Sequence, residues 1–166
     1  MALYLEQKHL SGGDTFDVAD RMRNPVWRGV GSLYAQDNII EIYTNTGVKA
    51  ASIRRRGSLL GGTKFDITIS GTLFETVKKS GSLSGTSYEL SRSGWSLKGD
   101  FTTLSYRILT SHGGVVMTHE KQWFNWGDAF VMEFARREDE LMCLCIAIAI
   151  DASAGVMLGT PIKSPV

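Results

Sequence analysis

From Leu141 to Ile150 the chain runs through ten consecutive apolar residues, LMCLCIAIAI, with no polar face at a helical or a strand period. Glu138, Asp139 and Glu140 stand in front, where carboxylates meet the positive end of a helix dipole. Leu, Met and Ala favour the helical reading. A helix that is apolar all round has to be enclosed on every side, by protein or by lipid. A membrane span needs about 20 apolar residues, and Asp151 and Ser153 interrupt this run first. The expectation is therefore a helix at about residues 138–151, the central rod of a protein core, with no transmembrane segment.

Length and charge narrow what surrounds it. A chain of 166 residues is about one domain with a full core. A formal charge of +1 argues against a nucleic-acid binder, for which a strongly basic domain is expected. Cys143 and Cys145 are the two cysteines, both inside the apolar run. At that spacing they point to different sides, so neither a disulfide nor a shared metal site is expected. The opening MALYLEQKHLSGGD lacks the basic and then apolar order of a secretory leader. Together with free thiols this points to a cytoplasmic protein, at most peripheral to a membrane.

A short pattern recurs ahead of the rod: a large apolar residue, any residue, a second apolar residue. It stands at Phe16-Asp17-Val18, Ile40-Glu41-Ile42, Phe65-Asp66-Ile67, Tyr88-Glu89-Leu90, Tyr106-Arg107-Ile108 and Phe130-Val131-Met132. Most central positions are charged, as in strands with one buried and one wet face. A partner strand is expected about one strand and a turn earlier, at Leu5, Ile53, Val77 and His119. Six such units make about twelve short strands. A closed barrel would cover the helix on all faces and leave no sheet edge exposed. No linker interrupts the repeat, so residues 1–151 read as a single domain followed by a tail, 152–166. The tail could add a strand, seal a barrel mouth or stay mobile.

Two further stretches carry a family resemblance. One is Gly94-Trp95-Ser96-Leu97-Lys98-Gly99-Asp100-Phe101, followed by Tyr106-Arg107-Ile108; the other is Lys121-Gln122-Trp123-Phe124-Asn125-Trp126-Gly127-Asp128, leading into Asp139-Glu140-Leu141 and the apolar run. With the opening Gly13-Asp14-Thr15-Phe16 they resemble the LURP-one-related family in its small bacterial form, over about Leu3 to Asp151. The resemblance implies a fold similar to the tubby C-terminal domain and to phospholipid scramblases. That fold is mainly β: a barrel of about twelve antiparallel strands closed around one buried hydrophobic helix. His119 departs from the pattern, since an apolar inward residue is expected there. The family brings no catalytic motif, so no catalytic residue and no cofactor are assigned.

Candidate chemistry is sparse. His9, His112 and His119 lie in different units, and no residue set has the spacing of a metal cluster. His119 reads as a hydrogen-bonded core histidine. Gly57 to Lys64, GSLLGGTK, has Thr and Lys in the wrong order for a phosphate loop and a strand where a helix should follow. Trp95, Trp123, Phe124 and Trp126 read as core aromatics, with Phe124 or Trp126 reaching the surface. The feature that stands out is Arg54-Arg55-Arg56, echoed one hairpin later by Lys78-Lys79. These five residues are the candidate anion-binding site, whether for the headgroups of an anionic lipid, phosphoinositides by the tubby relationship, or for an acidic partner. Charged strand ends that discourage edge pairing explain the same residues without a ligand. The expected function is a non-enzymatic binding module. The alternative is a structural or regulatory protein that contacts another protein through aromatics near Trp126 or through the tail.

Overall fold

A computed structural model describes residues 1–6, 15–34, 36–57, 62–82, 85–124 and 127–154. Twelve strands precede one helix. They are β1 (Ala2–Glu6), β2 (Thr15–Ala19), β3 (Pro25–Ser32), β4 (Ile39–Thr44), β5 (Lys49–Gly57), β6 (Thr63–Ile69), β7 (Thr72–Ser82), β8 (Gly85–Leu90), β9 (Ser96–Asp100), β10 (Ser105–Leu109), β11 (Val115–Phe124) and β12 (Gly127–Phe134). A 3₁₀ turn, Arg137–Asp139, leads into α1 (Glu140–Ser153). The helix runs past Asp151, where the sequence suggested an end, and so takes in the first residues of the expected tail. The remainder of that tail lies outside the described residues.

All six apolar–x–apolar motifs fall on even-numbered strands and point their flanking side chains inward. Leu5, Ile53, Val77 and His119 are fully buried on the odd strands between them. Every pairing among the described strands is antiparallel, in the order β8-β7-β6-β5-β4-β3-β2-β1-β12-β11-β10-β9. The first strand therefore pairs with the last, Leu5 facing Phe130 and Leu3 facing Met132. β8 and β9 are the two ends of this order and lie side by side without a shared ladder, which leaves the barrel nearly closed.

The seam is bridged by side chains instead. Tyr88 meets Phe101 edge-on at 4.9 Å, Phe101 meets Tyr106 at 5.4 Å, and Tyr106 stacks on His119 at 4.4 Å. At the joined end of β8 and β9 the buried Glu75 carboxylate accepts from the backbone N–H groups of Arg92 and Ser93, each at 2.8 Å. One close approach sets the opposite wall: a Cβ on Gly29 would lie 2.0 Å from the Phe16 ring, so only glycine fits under that ring.

The helix fills the interior. Every residue from Cys143 to Asp151 is fully buried, and the strands' inward side chains form one cluster around them. This explains the missing polar face: from Cys143 to Asp151 no side of α1 meets water.

The strand directions define two poles. The helix begins at the pole of the β2–β3, β4–β5, β6–β7 and β10–β11 turns, where Trp27 Nε1 donates to Glu140 Oε1 at 2.9 Å. It ends at the opposite pole, where the Lys79 ammonium donates to the Ser153 carbonyl.

Candidate anion-binding face

The five candidate residues do not form one surface, because strand alternation separates them. On β5, Ile53 and Arg55 point inward while Arg54 and Arg56 point outward. Arg55 closes the barrel mouth: its Nε donates to the Leu33 carbonyl at 2.6 Å, and its Nη2 to Asn38 Oδ1 at 2.8 Å. Its guanidinium also lies 4.8 Å from the centre of the Tyr34 ring. On β7, Val77 and Lys79 point inward and Lys78 outward. Burial lowers the Lys79 pKa, and its ammonium caps the carbonyl end of α1. Arg55 and Lys79 are thus held by the fold, and the expectation of one five-residue patch is corrected to that extent.

What remains outside is more orderly than a patch. β5 and β7 are not neighbours; β6 lies between them and adds Lys64. The register sets Arg56 opposite Lys64, Lys64 opposite Lys78, and Lys78 opposite Glu89. Three cations therefore stand in one row across three strands, about 4.8 Å apart from strand to strand. Arg54 stands one outward position along, opposite Asp66. Arg56 is paired to Asp66 through both guanidinium donors, and Thr76 Oγ1 donates to the same carboxylate at 2.9 Å. These contacts hold the Asp66 pKa below the usual carboxylate range, its hydrogen bond from Arg56 first among them. No ion pair involves Arg54, Lys64 or Lys78 among the described residues. Lys64 had no distinguishing neighbour in the sequence; only the register reveals it.

The interior holds polar groups of another kind. His119 Nδ1 donates to the Leu104 carbonyl at 2.7 Å, and Nε2 lies 2.9 Å from Asp151 Oδ2. Tyr106 OH donates to Asp151 Oδ1 at 3.3 Å. Burial alone would lower the His119 pKa; the Asp151 charge and hydrogen bond outweigh it and raise the value. His119 is the hydrogen-bonded core histidine that the sequence suggested. Asp151, read there as an interruption of the apolar run, proves to be its buried partner. Fully enclosed, this pair meets no substrate-sized space. Among the described residues no group of three or more His, Cys, Asp or Glu is arranged to hold a metal ion.

The aromatic expectations are only partly met. Trp123, not Phe124, is the exposed member at 53%, with the Lys121 ammonium 4.6 Å from its ring centre. Phe124 packs edge-on against Tyr4 at 5.7 Å. Trp126 lies outside the described residues. No helix is long and apolar enough to cross a membrane, among the residues described.

Known proteins place this architecture. An uncharacterized protein of Bacillus subtilis (strain 168), YxjI, is 29% identical over 150 residues, covering 90% of this chain and 91% of that protein. The X-ray structure of the Arabidopsis thaliana protein AT5G01750 superposes with a TM-score of 0.60 at 12% identity, covering 92% of this chain and 91% of that one, a likeness of fold. The sequence profile described as LURP-one-related matches residues 1–151. That span contains all twelve strands and nearly the whole helix, and the chain belongs to the LURP-one-related family.

Proposed function

We propose that the protein is a non-enzymatic binding module of the cytoplasm whose outer basic row captures anionic groups, the phosphates of an acidic lipid headgroup foremost. The observation that carries this reading is the register that aligns Arg56, Lys64 and Lys78 on adjacent strands, with Arg54 beside them. Rigid strands hold these cations at fixed spacing, so a multivalent anion meets them without an ordering cost in the backbone. Near an acidic membrane each such cation contributes about 1 kcal/mol. Arg55 and Lys79, named with them from the sequence, support the row from inside by fixing the barrel mouth and the helix end. A filled interior leaves the outer wall as the place for recognition.

Sedimentation with vesicles of phosphatidylcholine alone, or with added phosphatidylserine or phosphoinositide, tests the reading. Binding to the acidic vesicles should fall with salt and with joint replacement of Arg54, Lys64 and Lys78 by Ala. Salt-independent binding, or binding unchanged in the triple variant, would discard the row as the contact. A second reading, a protein partner, is favoured by the exposed Trp123 with Lys121 across its face. In that case Trp123→Ala, and not the triple variant, abolishes partner capture.

A further inference from the structure

Nine large apolar residues are exposed among the described residues, and six of them gather at the pole where α1 begins. Met22 belongs to the β2–β3 turn and is 81% exposed; Val48 belongs to the β4–β5 turn and is 61% exposed. Leu73 and Phe74 follow the β6–β7 turn, Val115 follows the β10–β11 turn, and Met1 precedes β1. Following the sheet order around the rim, successive tips are separated by about two strands, roughly 10 Å. The tips are therefore spaced around a ring and do not merge into one patch.

Three of these turns share a stiffening device. Asp20 Oδ1 accepts from the N–H groups of Met22 and Asn24, each at 2.9 Å. Thr44 Oγ1 accepts from Val48 N at 3.1 Å, and Thr110 Oγ1 from Gly114 N at 3.0 Å. In each case a strand-end side chain holds the backbone four residues on, which fixes Met22 and Val48 within their turns and the start of β11, where Val115 stands. Cations accompany the tips: Arg21 and Arg23 flank Met22, and Lys49 follows Val48. The middle of the pole, at the mouth of the helix, is charged, with Arg136, Arg137, Glu138 and Asp139.

We propose that this pole is a bilayer-docking surface, its apolar tips entering the headgroup–acyl boundary of a phospholipid membrane while the charged centre stays among the headgroups. A protein interface buries a contiguous apolar centre inside a polar rim. Here the order is reversed, an apolar ring around a charged centre, which suits a planar layer that is polar above and apolar below. Tips flanked by Arg or Lys can bury their apolar part while the charge remains at the surface, and the same cations complement acidic lipid. This surface is separate from the outer basic row, which lies on the wall toward the other pole. It requires no acidic lipid, so the two readings fail independently.

The test uses the 166-residue chain and small vesicles of phosphatidylcholine alone. Met22, Val48, Phe74 and Val115 are replaced together by Ser; all four are exposed, and an unchanged circular dichroism spectrum and melting temperature confirm the fold. The wild type should float with the vesicles, and the fourfold variant should bind at least about tenfold more weakly. The Arg54, Lys64 and Lys78 triple variant should bind these neutral vesicles as the wild type does. For a local readout, Met22→Cys carries an environment-sensitive dye. Selective labelling is feasible because Cys143 and Cys145 are fully buried, and burial pushes the Cys145 thiol up to about 12. Dye emission should shift to shorter wavelength on adding vesicles. Absence of flotation, equal flotation of the fourfold variant, or unmoved dye emission would each overturn the proposal.

Discussion

The two ends of α1 are fastened in opposite electrostatic senses. At its start Glu140, a carboxylate at the positive end of the helix dipole, accepts one hydrogen bond from Trp27. At its finish Asp151 places a buried carboxylate near the negative end, where the dipole opposes it. There the protein supplies more: His119 and Tyr106 on Asp151, Tyr88 OH 2.7 Å from Ser153 Oγ, and Lys79 on the Ser153 carbonyl. An end that suits its dipole is held by one side chain. An end that opposes it draws on β7, β8, β10 and β11 together.

The comparison can be broken first at the stretch both ends share. Ile146→Asp or Ile148→Asp should leave no folded monomer, because a lone charge would sit where no polar partner exists, well beyond the few kcal/mol that a domain can spare. A soluble variant with native circular dichroism would contradict the enclosed rod. Next comes the finish. His119→Leu leaves the buried Asp151 carboxylate with Tyr106 as its one remaining side-chain donor among the described residues and should cost about 3–5 kcal/mol in urea unfolding, whereas His119→Leu with Asp151→Leu should cost less than the single change. A double variant weaker than the single would mean that the pair is net stabilising in itself. The start is expected to be milder. Trp27→Phe removes one hydrogen bond to Glu140, about 1–3 kcal/mol since the acceptor is a carboxylate.

The smallest effect is the pH dependence that sharpens the contrast. The raised His119 pKa means that the folded state holds its proton more tightly than the unfolded chain does. That contribution is complete below the unfolded value of about 6.5 and disappears as pH rises through the higher folded value. Wild-type stability should therefore decline above about pH 6.5 relative to His119→Gln, while Trp27→Phe follows the wild-type slope. Parallel curves for wild type and His119→Gln would detach the proton from the helix end.

The asymmetry also marks how far the sequence could be read. Strands and rod follow from local periodicity, since each inward pair such as Phe65 and Ile67 announces its own strand. The need to enclose the rod favoured a barrel, and the LURP-one-related resemblance, not the periodicity, supplied its closed topology. The odd strand β9, Ser96–Asp100, carries no inward apolar pair and showed no such signal. Partners set by register stayed hidden: Asp151 finds His119 across 32 positions, and Lys64 joins Arg56 and Lys78 only once β6 is placed between β5 and β7. Likewise, Met22, Val48, Phe74 and Val115 are far apart in the chain and stand around one rim only because the even-to-odd turns share one pole. An arginine run catches the eye, yet alternation sends Arg55 inward and leaves Arg54 outside.

The order of elements bears on how the protein is made. β1 pairs with β12, the last strand, and the rod that fills the interior follows that strand. A nascent chain growing at about 5–20 residues per second must therefore hold eleven strands with neither closure nor filling until β12 and α1 have left the ribosome. Until then the inward rows from Leu3 to Met117 line a groove without its occupant. Chains cut short before Glu140 should be bound by chaperones and degraded, since their inward rows stay uncovered.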